Sequence, residues 1–195
     1  MTDKLIPTPS QTVGPFFHLG LDRPEWSDLA RGHPAGERIA IEGRVLDGDG
    51  LPVPDAMIEI WQANAAGRYK HPDDHQEDKP LDPNFRGFGR VATDAEGRFR
   101  IATIKPGAVP GRGNSLQAPH LNLAVFARGL LIHLFTRLYF ADEAAANAAD
   151  PLLSAIEDEG ARRTLIARRA EGGGPARYRF DIVLQGEGET VFLDL

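Results

Sequence analysis

From Arg38 onward, apolar and polar residues alternate in short runs, the two-residue period of strands that bury one face. Ile39-Ala-Ile-Glu-Gly-Arg-Val-Leu46 alternates in this way, and Asp47-Gly-Asp-Gly50 after it carries a turn signal. Met57–Trp61 follows as a second strand. Gly89–Thr93, the turn Asp94-Ala-Glu-Gly97 and Arg98–Ala102 predict a hairpin. His120–Phe126, Leu134–Phe140, Arg177–Leu184 and Thr190–Leu193 bring the set to about eight short strands separated by turns. That spacing predicts an all-β domain, a two-sheet antiparallel β-sandwich.

Helix signals are confined to residues 142–169. Asp150-Pro-Leu-Leu-Ser-Ala-Ile156 has an Asp followed by Pro at the first helical turn. Ala161–Arg169 ends in basic residues ahead of Gly172-Gly-Gly174, a helix stop. These helices are expected at one end of the sandwich. Residues 1–36 are rich in Pro and Gly and lack either period, apart from a helical turn at Pro24–Leu29. They read as an extended N-terminal arm ahead of a domain spanning 37–195. Thr8-Pro-Ser-Gln-Thr-Val-Gly-Pro-Phe-Phe17 is too apolar for a free tail, and its two adjacent Phe predict burial against a partner or across a cleft.

At 195 residues the chain is long enough for one domain with a sizeable core, burying roughly 70% of its unfolded surface. It has no cysteine, which excludes disulfides, zinc–thiolate sites and iron–sulfur clusters and fits a cytoplasmic protein. The N-terminus has no apolar stretch of signal-peptide length, and Leu121–Phe126 is far short of a membrane span. A net charge of −6 argues against broad binding to nucleic acid or anionic membrane. An anionic substrate would need a local basic group, and Arg128 is the candidate.

Three further segments carry the chemistry: Trp61-Gln-Ala-Asn-Ala-Ala-Gly-Arg-Tyr69, Thr103-Ile-Lys-Pro-Gly107 and Gln117-Ala-Pro-His-Leu-Asn-Leu-Ala-Val-Phe-Ala-Arg-Gly129. Together they resemble the core of the intradiol ring-cleaving dioxygenases. Thr136–Glu143 and Tyr178–Phe192 resemble further signatures of that family in the same order. The resemblance implies a non-haem Fe(III) site made by two Tyr and a His-x-His pair. Here the pair reads His120-Leu121-Asn122, and the second Tyr position is Val109. Tyr69, Val109, His120 and Asn122 are thus vestigial ligand positions, with no metal ligands and no self-sufficient catalytic residues in this chain.

The opening Thr8–Pro15 is typical of the alpha chains of the family. The resemblance then implies an alpha-type subunit in an (αβ)n hetero-oligomer, with Fe(III) held by the beta partner chain. The substrates implied are protocatechuate and O2, the product 3-carboxy-cis,cis-muconate in aromatic catabolism, and the location cytoplasmic. Thr12, Gly14, Pro15 and Arg128 would line the shared substrate pocket.

The residues themselves agree that a complete iron site is missing. A hard ferric ion favours tyrosinate, carboxylate and imidazole, and the chain has three Tyr and six His. Tyr139 and Tyr178 read as core or sheet aromatics, His133 as a structural histidine, and His71 and His75 as part of a polar loop. Strand alternation puts Asn122 on the same face as His120. An amide is a poor iron ligand, and Asn122 is expected to hydrogen-bond His120 instead. Two other classes stay open. Gly43-x-Val-x-Asp-x-x-Gly-x-x-Val-x-x-Ala56 also recurs in prealbumin-like sandwiches that only bind ligands, and an enzyme competent alone would need an unorthodox ligand set.

Overall fold

A computed structural model describes residues 12–14, 16–172 and 174–194. The arm contributes a short helix α1 (Phe16–Gly20) and a 3-10 turn at Pro24–Trp26. The strands are β1 (Arg38–Leu46), β2 (Met57–Trp61), β3 (Phe88–Ala92), β4 (Arg98–Ile104), β5 (Val109–Pro110), β6 (Leu116–Gln117), β7 (His120–Phe126), β8 (Leu134–Phe140), β9 (Ile166–Arg169), β10 (Ala176–Arg179) and β11 (Ile182–Val183). Between β8 and β9 come α2 (Ala144–Ala149), α3 (Pro151–Ala155) and α4 (Glu159–Arg163). Among the described residues no helix is long and apolar enough to cross a membrane.

The expected sandwich of two antiparallel sheets is corrected to one mixed, nearly closed sheet. Its path runs β4, β1, β10 with β11, β9, β8, β7, β2 and β3. Three parallel pairings stitch it together: β1 with β10, β1 with β11, and β8 with β9. The expected hairpin of β3 and β4 is also corrected. β3 pairs with β2 and β4 with β1, so the Asp94–Gly97 turn carries the chain from one edge of the sheet to the other.

Local chemistry explains two further departures. The strand expected over Arg177–Leu184 breaks in two because β1 changes partner at Gly43. A Cβ there would stand 1.7 Å from the Phe180 carbonyl, and Phe180 N donates to Glu42 O at 3.0 Å. The helix expected over Ala161–Arg169 stops at Arg163. Leu165 O then accepts from Tyr139 N, and Ala167, wholly buried, fills the core between β8 and β10. Over Thr190–Leu193 a strand is reduced to one bridge, Phe135 with Leu193.

The inward faces of the sheet supply one continuous core, including Ile41, Ile58, Ile101, Leu121, Leu123 and Tyr178. Each such side chain contributes roughly 1.5–3 kcal/mol by burial. A smaller cluster of Ala118, Tyr139, Leu153 and Leu165 lies outside β8. The helices thus cover the outer face of β8 at its Tyr139 end rather than the end of the sheet.

Asp150 holds that layer in place. It is fully buried, caps α3 by accepting from Leu152 N and Leu153 N, and also accepts from Ala118 N at 2.8 Å and Tyr139 Oη at 3.1 Å. Asp150→Ala would strand four donors in the interior and should destabilise the fold by about 3–5 kcal/mol. Asp150→Asn, which keeps an acceptor oxygen, should cost clearly less. Urea midpoints for the two variants measure the difference.

Candidate functional site

Strand β7 runs through the middle of the β2–β7–β8 strip. Its odd residues Leu121, Leu123 and Val125 are buried in the core, so His120 and Asn122 face outward. Register then decides their neighbours. Asn122 lies opposite Trp61 of β2 and Arg137 of β8, and His120 lies opposite Tyr139. Tyr69 arrives from the loop after β2. The Asn64 side chain accepts from Ala66 N and Arg68 N, and Gly67 takes a φ of 78° where a Cβ would meet the Ala108 carbonyl at 2.0 Å. The folded-back loop stacks the Tyr69 ring on Trp61 with centroids 5.6 Å apart.

These residues border a cleft of about 490 Å³ whose lining includes Trp61, Tyr69, Val109, Gln117 and Arg137. Asn122 Nδ2 donates to Tyr69 Oη at 3.2 Å and to Trp61 O at 3.3 Å. Arg137 Nε donates to Asn122 Oδ1 at 3.0 Å, and Arg137 Nη1 to Gln117 Oε1 at 2.6 Å and to Tyr139 Oη at 3.4 Å. His120 Nδ1 lies 2.7 Å from Ala118 O. Because a carbonyl only accepts, that nitrogen carries the proton. The expected His120–Asn122 bond is therefore corrected: His120 turns to the backbone, and Asn122 serves Tyr69, Trp61 and Arg137.

Burial raises the Tyr69 phenol above its ordinary pKa, against the opposing pull of the Asn122 bond and the Arg137 charge. His120 is pushed down to about 4, first by burial and then by the Arg137 charge, with the Ala118 bond acting the other way. Both residues are thus held neutral at pH 7.

This donor set does not suit a ferric ion. Val109 offers no ligand atom, the Asn122 amide is a poor ligand that already donates twice and accepts from Arg137, and that guanidinium stands among Asn122, Gln117 and Tyr139. Arg137 is the residue that sequence reasoning missed. Alternation in Thr136-Arg-Leu-Tyr139 puts it outward, but only the β7–β8 register reveals that it meets Asn122.

The other predicted residues lie at the far end of β7, roughly 20 Å along the strand from His120 by its rise per residue. Thr12 Oγ1 donates to Ala127 O and accepts from Gly129 N, both at 3.2 Å, so the arm is pinned on either side of Arg128. Arg128 is 65% exposed, with Asp55 at 3.6 Å. Gly14 is exposed, with open space where a Cβ would stand. Pro15 lies outside the described residues. Phe17 is buried within this chain, and Phe16 is 79% exposed. Thr12, Gly14, Phe16, Phe126, Leu131 and His133 border a second cavity, of about 480 Å³.

Tyr178 sits in the main core as expected, its hydroxyl on Asp142 at 2.8 Å, and Tyr139 in the smaller one. His71 and His75 are exposed in a loop, also as expected. His133, expected to be structural, is exposed and sits between the rings of Phe126 and Phe135.

A family model described as Dioxygenase matches residues 14–186. The chain is 47% identical over 206 residues to the protocatechuate 3,4-dioxygenase alpha chain of Pseudomonas putida, with all of both chains covered. It is 47% identical over 168 residues to the protocatechuate 3,4-dioxygenase beta chain of Burkholderia cepacia, covering 83% of this chain and 70% of that one. Among solved structures, the dioxygenase domain of a dioxygenase carbohydrate-binding protein fusion from Streptomyces sp. SirexAA-E aligns with a TM-score of 0.60 at 26% identity. That alignment covers 93% of this chain and 99% of the domain.

The depressed His120 pKa has a direct consequence for stability. As pH falls below about 6.5 the unfolded chain takes up a proton that the folded chain refuses until about 4. Stability is therefore lost as pH drops through that window, by about 3 kcal/mol in full. His120→Gln should show a flatter dependence than the unsubstituted chain. Urea midpoints at pH 7 and pH 4.5 test this, and parallel curves for the two proteins would refute it.

Proposed function

We propose that this chain, which belongs to the intradiol dioxygenase family, is the alpha-type subunit of a protocatechuate 3,4-dioxygenase. Its Fe(III) would be held by a beta partner chain. The enzyme would open protocatechuate with O2 to 3-carboxy-cis,cis-muconate in the cytoplasm, as part of aromatic catabolism. One observation carries the reading: likeness to an alpha chain runs the full length of the molecule, while the position a ferric ion would need is taken up by Asn122 and Arg137. The iron chemistry then belongs to the partner, and this chain shapes the pocket.

On this reading residues 1–36 act as the arm that contacts the partner and its active-site cleft, and 37–195 form the intradiol dioxygenase domain. Thr12, Gly14, Pro15 and Arg128 wall the substrate pocket. Pinning of the arm by Thr12 supports it, because Thr12 is held to the backbone on either side of Arg128. So does the exposed apolar surface of Phe16, Leu19, Leu131 and Ile132 beside them, which suits burial against a second chain of the same fold. The assembly is an (αβ)n hetero-oligomer.

The chain produced alone should be colourless, iron-free and inactive. Produced with its beta partner, it should yield one iron per αβ pair, the tyrosinate-to-iron colour and ring cleavage. Iron and activity in the lone chain would overturn the reading, and so would a chain that ignores the partner. Within the active assembly, Arg128→Ala should raise KM for protocatechuate about tenfold and leave kcat nearly unchanged, because a charge-assisted contact to the carboxylate is lost. Inhibition by catechol, which lacks the carboxylate, should move little. An equal loss for both ligands would count against a carboxylate contact.

A further inference from the structure

We propose that the cleft bounded by Trp61, Tyr69 and Arg137 is a second, non-catalytic binding site for a small aromatic carboxylate of the benzoate class. The inference concerns this chain's own cleft and goes beyond the subunit role above.

Charge is the first argument. The Arg137 guanidinium is half-buried, and its three hydrogen bonds go to the neutral acceptors Asn122, Gln117 and Tyr139. Among the described residues no carboxylate lies within ion-pair reach of it, and its Nη2 has no hydrogen bond to protein yet is accessible to solvent. The buried Asp150 reaches it only through Tyr139 Oη, so the open Nη2 of this partly desolvated cation favours an anion, held by a one-point charge-assisted bond. Of the acids on the cleft wall, Asp74 spends its oxygens on Tyr69 N, Gln76 N and Gln76 Nε2, and Asp73 on the rim is 89% exposed, so water screens its charge.

Shape is the second. Trp61 and Tyr69 form one stacked aromatic wall, His71 meets Trp61 edge-on with centroids 6.3 Å apart, and Val109 and Pro110 close the apolar side. The volume of about 490 Å³ falls in the roughly 300–1,000 Å³ range of small-molecule sites. An arene ring fits such walls better than a saturated ring, through offset or edge contacts.

Equilibrium dialysis of radiolabelled benzoate against the full chain, in the assembly in which it is isolated, tests the proposal. One site per copy of this chain is expected. Arg137→Gln should abolish it or weaken it roughly tenfold or more. Pro110→Trp should do the same by filling the cleft from an exposed edge position, leaving the Arg137 hydrogen bonds in place should Arg137→Gln fail to fold. Cyclohexanecarboxylate and benzyl alcohol should compete roughly tenfold more weakly than benzoate. Should a partner's centre bind benzoate too, each variant still removes one site per copy, and ring-cleavage assays on the same preparations report separately on the subunit role. Unchanged site number and affinity in both folded variants would overturn the proposal, as would cyclohexanecarboxylate competing as well as benzoate.

Discussion

The two-residue period of β7 governs both halves of this molecule. Leu121, Leu123 and Val125 are buried to within a per cent of completely, together contributing about 5–9 kcal/mol by burial. A slip of one residue would turn all three outward and bring His120, Asn122 and Ala124 into the core. No hydrogen bond made by Asn122 approaches that cost, since a net contribution of about 1 kcal/mol each is typical. The core therefore decides which residues face outward, and the outward face carries whatever chemistry stands at 120 and 122. A ligand can be lost there without loss of fold.

The same strand separates two regions. Near His120 the outer face is occupied by a guanidinium, an amide and two phenols that satisfy one another and hold the loop carrying Tyr69. Past Phe126, the arm is pinned by Thr12 around Arg128 and the surface is apolar and exposed. Neither region constrains the other through direct contact. Side chains can therefore change at one end of the strand while the other end is left as it is.

How much of this was legible follows from what alternation encodes. Ile39–Leu46, Met57–Trp61, His120–Phe126 and Leu134–Phe140 each declare an inner face, and each is a strand with that face buried. Pairing is not encoded in that way. Nothing in Phe88–Ala92 and Arg98–Ile104 says that the turn between them joins opposite edges of the sheet. Ile166–Arg169 follows a helix and ends in arginines, so it looks helical, and only the space between β8 and β10 makes it a strand. The gaps at Val109 and Asn122 were readable only through the resemblance to the intradiol family. Arg137 was not, because its role depends on a register fixed fifteen residues away by the core.

That register also explains why Asn122 is more than a missing histidine. Its amide gives two donor bonds, to Tyr69 Oη and Trp61 O, and one acceptor bond from Arg137 Nε. A neutral imidazole has one N–H and one lone-pair nitrogen, and an imidazolium has no acceptor at all. Neither form can satisfy all three partners, and the imidazolium would also place a second positive charge against Arg137. Histidine at 122 therefore fits only where residue 137 is not an arginine donating to it, as in a site where a metal accepts the lone pair. Positions 122 and 137 are coupled, and restoring an iron site means changing both along with Val109.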